Sequence, residues 1–261
     1  GGFAEFQQQR VLHRQGRRAC PAPAPRGPVV FPQDPRAPPA GGGAVAGAPA
    51  GPGGMGGGAA RTAVVRRCFP PSAVMPRPIQ ATVSCAALRH NLSRVRACAP
   101  HARIWAVVKA NAYGHGLPAA VSGLADADGM VLVEFEQAAR LRALGWDRPL
   151  MMIEGAFEPA DLEAAARLRL ALVVHSVEQL AMLEAWRGAA RFAVLLKFNS
   201  GMNRLGLGAA AFRDAPARLR RCPAVASIVL MTHFADADVP GGADEALARF
   251  EDACGEAPEP R

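Results

Sequence analysis

Six short, continuously apolar runs recur in this 261-residue chain and constrain its fold more than any other feature. They are IWAVVKA (104–110), GMVLVE (129–134), PLMMIEG (149–155), LALVVHS (170–176), FAVLLKFN (192–199) and VASIVLMTHFA (225–235). A strand with one wet face alternates apolar and polar side chains; consecutive apolar residues instead mark strands covered on both faces. Between the runs lie segments of helical periodicity, among them EQAARLRALG, EPADLEAAARL and SVEQLAMLEAW. Ahead of them, ATVSCAALRHNLSRVRACA reads as a short strand, Ser84 as an N-cap, and a helix with Leu88, Leu92 and Val95 on one face. Strand–helix units spaced about 20 to 30 residues apart predict a parallel α/β sheet, either doubly wound or closed into a (β/α)8 barrel. Six strands are visible where a barrel needs eight, so a barrel reading is an incomplete one.

Residues 1–74 break the pattern. Stretches such as PAPAPRGPVV and GAPAGPGGMGGGAA bury too little apolar surface to offset the entropy of ordering them, so this leader is expected to be disordered. Its nine arginines face only Glu5 and Asp34, a net charge of +7, which leaves +1 of the total +8 for residues 75–261. The basic character therefore belongs to the leader, and without interleaved aromatics or clustered charge it points to no nucleic-acid partner. Its residues have GC-rich codons and Met75 directly precedes the first regular pattern, so Met75 is the expected true start. Six cysteines show no CxxC pair and no metal-ligand spacing with histidine, which predicts reduced thiols of a cytoplasmic protein and no metal site. No apolar run reaches the roughly 18 residues a membrane span requires.

Reactive side chains gather at the C-terminal ends of the runs. Lys109 closes the first, His175 the fourth, Lys197 and Asn199 the fifth, and His233 the sixth. In a barrel this is the face on which active sites are built. Lys109 and Lys197 are also the only two lysines among 30 basic residues, and the other 28 are arginines. Arginine would serve for surface charge, but a guanidinium offers no free amine, whereas a desolvated lysine can lose its proton and attack an aldehyde. Schiff-base chemistry is thus the leading expectation. Tyr113, the chain's only tyrosine, follows Lys109 by four residues beside Gly114 and Gly116, where a phenol could donate to a phosphate ester. An aldehyde and a phosphate together describe pyridoxal phosphate, whose ring withdraws electrons from an amino-acid α-carbon.

VVKANAYGHG (107–116), KFNSGMNRLG (197–206) and MTHFADAD (231–238) together resemble the motifs of the alanine racemase family, in the family's order. The resemblance runs from about Met75 to the end. It implies a TIM-type barrel, pyridoxal 5'-phosphate as cofactor, alanine as substrate, a homodimer, no nucleic acid and no membrane. It further implies interconversion of L- and D-alanine through an external aldimine with two-base proton transfer, for peptidoglycan supply or alanine catabolism. By the same resemblance Lys109 is the Schiff-base lysine and one catalytic base, and Tyr113 contacts the cofactor phosphate. Arg204 bonds the cofactor's phenolic oxygen, with Met202 beside it as a substrate contact, and His233 lies against the pyridine ring. Lys197 matches a lysine that many members carbamylate to brace that arginine. Asn199 stands where many members carry aspartate. His175 and Glu154 have no role in the resemblance and are expected to pack or hydrogen-bond at the strand ends.

The family continues through two more strands into a C-terminal β domain, which supplies an arginine facing the pyridine nitrogen and, from the partner subunit, a tyrosine as the opposite base. Neither is expected within this sequence, so the chain is expected to be truncated and inactive alone. Rival readings are a racemase for serine, lysine or a broad range of amino acids, and a non-catalytic pyridoxal-phosphate homeostasis protein with a similar barrel.

Overall fold

A computed structural model describes residues 81–255 and Glu259; the expected disordered leader, 1–74, and the expected start at Met75 lie outside these residues. Helix α1 (Cys85–Cys98) opens the fold, and the Ser84 hydroxyl accepts from the Ala87 amide as its N-cap. Of its expected apolar face, Leu92 is buried and Leu88 and Val95 are half-buried; the short strand expected before it reduces to a single bridge at Val83. Six strands follow: β1 (Trp105–Val107), β2 (Gly129–Leu132), β3 (Leu150–Met152), β4 (Leu170–Val174), β5 (Phe192–Lys197) and β6 (Val225–Met231). They alternate with α2 (Leu117–Gly123), α3 (Phe135–Ala143), α4 (Pro159–Leu168), α5 (Val177–Ala185) and α6 (Ala209–Arg221), and α7 (Asp244–Cys254) follows β6.

All neighbouring strands are parallel, and their spatial order is β1-β2-β3-β4-β5-β6. A doubly wound sheet reverses strand order at a switch point; a barrel keeps chain order. The choice left open by the sequence is therefore decided for the barrel type. Among the described residues β1 pairs only with β2 and β6 only with β5, so six strands form an open arc of it.

Side-chain alternation along the strands separates two cores. Met130, Leu132, Leu150, Met152, Leu170, Leu172, Val174, Val194, Leu196 and Leu230 face the helices in one large cluster. Val131, Met151, Ala171, Val173 and Leu195 form a second cluster on the opposite, concave face, with Trp105, Val107, Ile153, Ala193, Val229 and Met231 against it. Register links this inner layer, with Val107 opposite Val131, Val131 opposite Met151, and Met151 opposite Ala171. Successive residues of a strand point to opposite faces, and every member of the inner layer is odd-numbered. Lys197 therefore ends β5 with inward parity.

Each apolar run of the sequence outlasts the C-terminal end of its strand by two to four residues. These overhangs carry the polar strand-end side chains, Lys109, Glu134, Glu154, His175, Asn199 and His233, and most of them are half-buried. Beneath the end of β5, Phe198, Phe212 of α6 and Phe250 of α7 form a triad with ring centroids 5.1 to 6.3 Å apart. At the opposite end of the sheet, Arg142 donates to the carbonyls of Trp146, Arg148, Leu168 and Arg169 and ties loops from two βα units together. The described cysteines, Cys85, Cys98, Cys222 and Cys254, are thiols. Phe212→Ala should cost about 3–5 kcal/mol of stability, read by urea denaturation, because it empties the middle of a buried triad.

Candidate active site

Lys109, the first strand-end residue, follows β1 by two positions and continues its inward parity. The segment Lys109–Tyr113, expected as a glycine-containing loop, is one helical turn of left-handed sense. Ala110, Asn111, Ala112 and Tyr113 have φ of 52° to 54°, a region that costs a non-glycine residue roughly 1–2 kcal/mol. Hydrogen bonds hold it there: Ala112 N to Val108 O (2.8 Å), Gly114 N to Ala110 O (3.2 Å) and Gly116 N to Asn111 O (2.9 Å). Asn111 Oδ1 also accepts from Leu117 N at 3.1 Å, and the Asn111 backbone N–H donates to Gln137 Oε1 at 3.1 Å. The turn returns Tyr113 to Lys109, whose Nζ lies 5.8 Å from the phenol ring centroid. Strain of this kind persists only where the surroundings over-determine it, and here it fixes the spacing of an amine and a phenol.

Lys197 is the most deeply placed charged group of the site, 4% exposed. Burial holds its amine below the ordinary lysine range; Arg204 and, more weakly, Lys109 push the same way, and the Glu154 carboxylate opposes them. Arg204, Lys109 and Glu154 are thus each within electrostatic reach of Lys197. Arg204 and Met202 sit on the exposed part of the loop after β5, Met202 being 37% exposed. That loop folds back on its own strand: Asn199 N donates to Leu207 O (3.0 Å) and Leu207 N to Lys197 O (2.8 Å). Asn199 organises its tip, with Oδ1 accepting from Gly201 N and Asn203 N and Nδ2 donating to Asn203 Oδ1 at 2.9 Å. An aspartate could accept the same two amides but could not donate to Asn203, so the asparagine is matched to NSGMN in this chain.

His233 follows β6 by two residues and is half-buried. Its backbone carbonyl accepts from Ser200 Oγ at 3.2 Å, and Thr232 Oγ1 lies 2.7 Å from Ser200 Oγ and 3.0 Å from Phe198 O. These hydroxyls couple the ends of β5 and β6. Sequence reasoning missed both Ser200 and Thr232; their signal was a small polar residue beside each motif's reactive one. His175, for which strand-end packing or hydrogen bonding was expected, places Nε2 3.0 Å from the Glu154 backbone carbonyl. Among the described residues no cluster of metal-ligating side chains occurs, and no helix is long and apolar enough to cross a membrane.

The donor set suits a phosphorylated aldehyde: two amines, a phenol and a guanidinium converge, with one carboxylate near enough to offset the charge on Lys197. A family model described as alanine racemase, N-terminal domain, matches residues 83–261. An alanine racemase of Paracidovorax citrulli is 53% identical over 176 residues, covering 67% of this chain and 48% of that protein. Among solved structures, the biosynthetic alanine racemase of Pseudomonas aeruginosa superposes with a TM-score of 0.61 at 40% identity, covering 64% of this chain and 48% of the other. A histidine racemase of Leuconostoc mesenteroides superposes with a TM-score of 0.58 at 28% identity, covering 67% of this chain and 49% of the other. The chain spans about half the length of the relatives it matches.

Two outcomes test this geometry. Gly206 has φ +124°, and a Cβ there would stand 2.6 Å from Asn199 N, so Gly206→Ala should cost about 3 kcal/mol and loosen the 198–207 loop, read as faster amide exchange at Leu207. Lys197→Met should raise stability at pH 7 by about 1 kcal/mol. Because the folded lysine holds its proton less tightly than the unfolded one, its cost grows as pH falls and vanishes above the unfolded value near 10.4. The gain should therefore shrink between pH 7 and about pH 10.4 in urea titrations.

Proposed function

Because the chain belongs to the alanine racemase family, matching its N-terminal domain, we propose that residues 75–261 form the cofactor-binding barrel part of a cytoplasmic, homodimeric racemase that interconverts L- and D-alanine. The observation that carries this reading is the convergence of the only two lysines of the chain, with Arg204, at one end of the sheet. Pyridoxal 5'-phosphate, when bound, supplies the electron sink that makes an amino-acid α-proton removable. Lys109 Nζ would hold the cofactor through its aldehyde, and the same amine would take or return an α-proton on its own face. Tyr113, placed by the left-handed turn, would donate its phenolic proton to the phosphate. Arg204 would donate to the phenolic oxygen, and His233, whose backbone carbonyl is anchored through Ser200, would pack against the ring.

Lys197 is read as the bracing group. Its depressed proton affinity keeps a larger share of neutral amine, which reacts with carbon dioxide to a carbamate that would balance Arg204. Asn199 keeps the tip of the loop carrying Met202 and Arg204 folded, and Met202 would line the substrate side. Inversion needs a second proton donor on the opposite face. The family resemblance assigns that donor to a tyrosine of the partner subunit, with Tyr113 placed beside Lys109. The likeness to a histidine racemase supports a second reading, in which the same barrel serves a different amino acid.

Incubation of the full chain with pyridoxal 5'-phosphate, borohydride reduction and peptide mapping should find the cofactor on Lys109, with Lys109→Arg abolishing the label. Labelling at neither lysine would overturn the reading. Assays with alanine, serine, lysine and histidine, each in the presence of a C-terminal half from a relative, would separate the substrate readings.

A further inference from the structure

The first amides of any helical turn lack a partner within it, and in the turn Lys109–Tyr113 the Asn111 amide is one of them. Gln137 Oε1 accepts that proton from outside, at 3.1 Å. Asn111 is held at two acceptors as well: its carbonyl takes the Gly116 N–H at 2.9 Å, and its Oδ1 takes the Leu117 N–H at 3.1 Å. The residue midway between Lys109 and Tyr113 is thereby tied to the entry of α2 on one side and to α3 on the other. It is also one of four consecutive non-glycine residues in the left-handed region, with φ of 54°.

The backbone that carries Gln137 has little freedom of its own. Gln137 is half-buried in the first turn of α3, next to Ala138 and one turn before Leu141, and both of these are fully covered in the core. Helix α3 follows β2, and β2 is registered on β1 by the Val107–Val131 pair. The Val108 N–H then donates to Val131 O at 2.8 Å, immediately before the turn begins. Beyond that bond the two chains leave the sheet, one towards the Asn111 amide and the other towards Gln137. The Gln137 bond rejoins them and links the first βα unit to the second past the end of sheet pairing. Glutamine supplies this acceptor without adding a charge beside Lys109, and a lysine or arginine of similar reach could not accept at all.

We propose that Gln137 is a positioning residue for the Lys109–Tyr113 pair. By holding the Asn111 amide it fixes the left-handed turn against α3, and so sets the distance between amine and phenol, 5.8 Å from Lys109 Nζ to the ring centroid. Left-handed backbone persists in non-glycine residues only where the surroundings hold it, so loss of the acceptor would let these residues relax. Every residue between Lys109 and Tyr113 contributes two soft dihedrals, so relaxation there would swing the phenol away from the amine. The value of that spacing to a bound cofactor rests on the proposed function, whereas the spacing itself does not.

Tyr113 is the only tyrosine of the full chain and Lys109 one of two lysines, so selective labelling isolates the NMR cross-peak between the Tyr113 ring and the Lys109 side chain. Gln137→Met has similar reach and no oxygen. It should weaken that cross-peak and speed amide exchange at Asn111 by about tenfold, the loss of one hydrogen bond. Exchange at Leu141 and Leu172, in the core, should stay as in the parent chain. Gln137→Glu, which keeps an acceptor, should restore both the cross-peak and the slow exchange. An unchanged cross-peak with unchanged Asn111 exchange in Gln137→Met overturns the inference. Equal losses in Gln137→Met and Gln137→Glu also overturn it, because acceptance would then not be what matters. Faster exchange at Leu141 and Leu172 along with Asn111 assigns Gln137 to overall stability and ends its positioning role. If the cross-peak responds as expected while borohydride traps no pyridoxal 5'-phosphate on Lys109 of the parent chain, the proposed function fails and this inference stands. Trapping on Lys109 beside an unresponsive cross-peak would sink the inference and leave the proposed function in place.

Discussion

An amine removed almost completely from water is the constraint around which the strand-end site is arranged. Lys197 reaches that position because the parity of β5 points it inward at the last residue of the strand. Burial and two neighbouring cations then work against its proton, and one carboxylate works for it. The loop from Phe198 to Leu207 bonds back to the Lys197 backbone carbonyl, the Phe198, Phe212 and Phe250 triad packs beside the strand end, and Ser200 ties the same loop to His233. A surface lysine would need none of this. The number of independent devices converging on one side chain is itself an argument that its chemistry, and not its charge alone, is used.

The two ends of the sheet solve different problems. At the end where the strands begin, Arg142 donates to four carbonyls and joins loops of neighbouring units. At the other end polar groups are aimed at one another across strand boundaries, and backbone strain is concentrated in the turn after β1. Barrel folds in general divide the work in this way, with active sites at the C-terminal ends of the strands and stabilising contacts at the other end.

Much of this was legible in the sequence. Consecutive apolar runs revealed the strands because burial on both faces leaves no position for a polar side chain. Their places at run ends put Lys109 and Lys197 at one end of the sheet. What the runs concealed was where each strand stops, since sheet pairing ends two to four residues before the run does. The left-handed turn was also hidden: KANAY has ordinary composition, and only Asn111 hints at positive φ. Gln137 was invisible for another reason. A glutamine on an otherwise amphipathic helix looks solvent-facing until the fold brings the Asn111 amide to it. The Ser200 and Thr232 hydroxyls, small and local in appearance, likewise gain meaning only when β5 and β6 lie side by side.

The agreement between strand order and chain order bears on how such a chain acquires its shape. Every parallel pair joins units adjacent in sequence, so each new strand finds its docking edge already built by the one before. Growth can proceed in one direction, at the pace of synthesis, without waiting for distant segments to meet. The amine-bearing strand β5 enters only after four strands and their intervening helices have been delivered by the preceding units. Vectorial assembly of this kind would offer the buried amine a partly built wall to settle against.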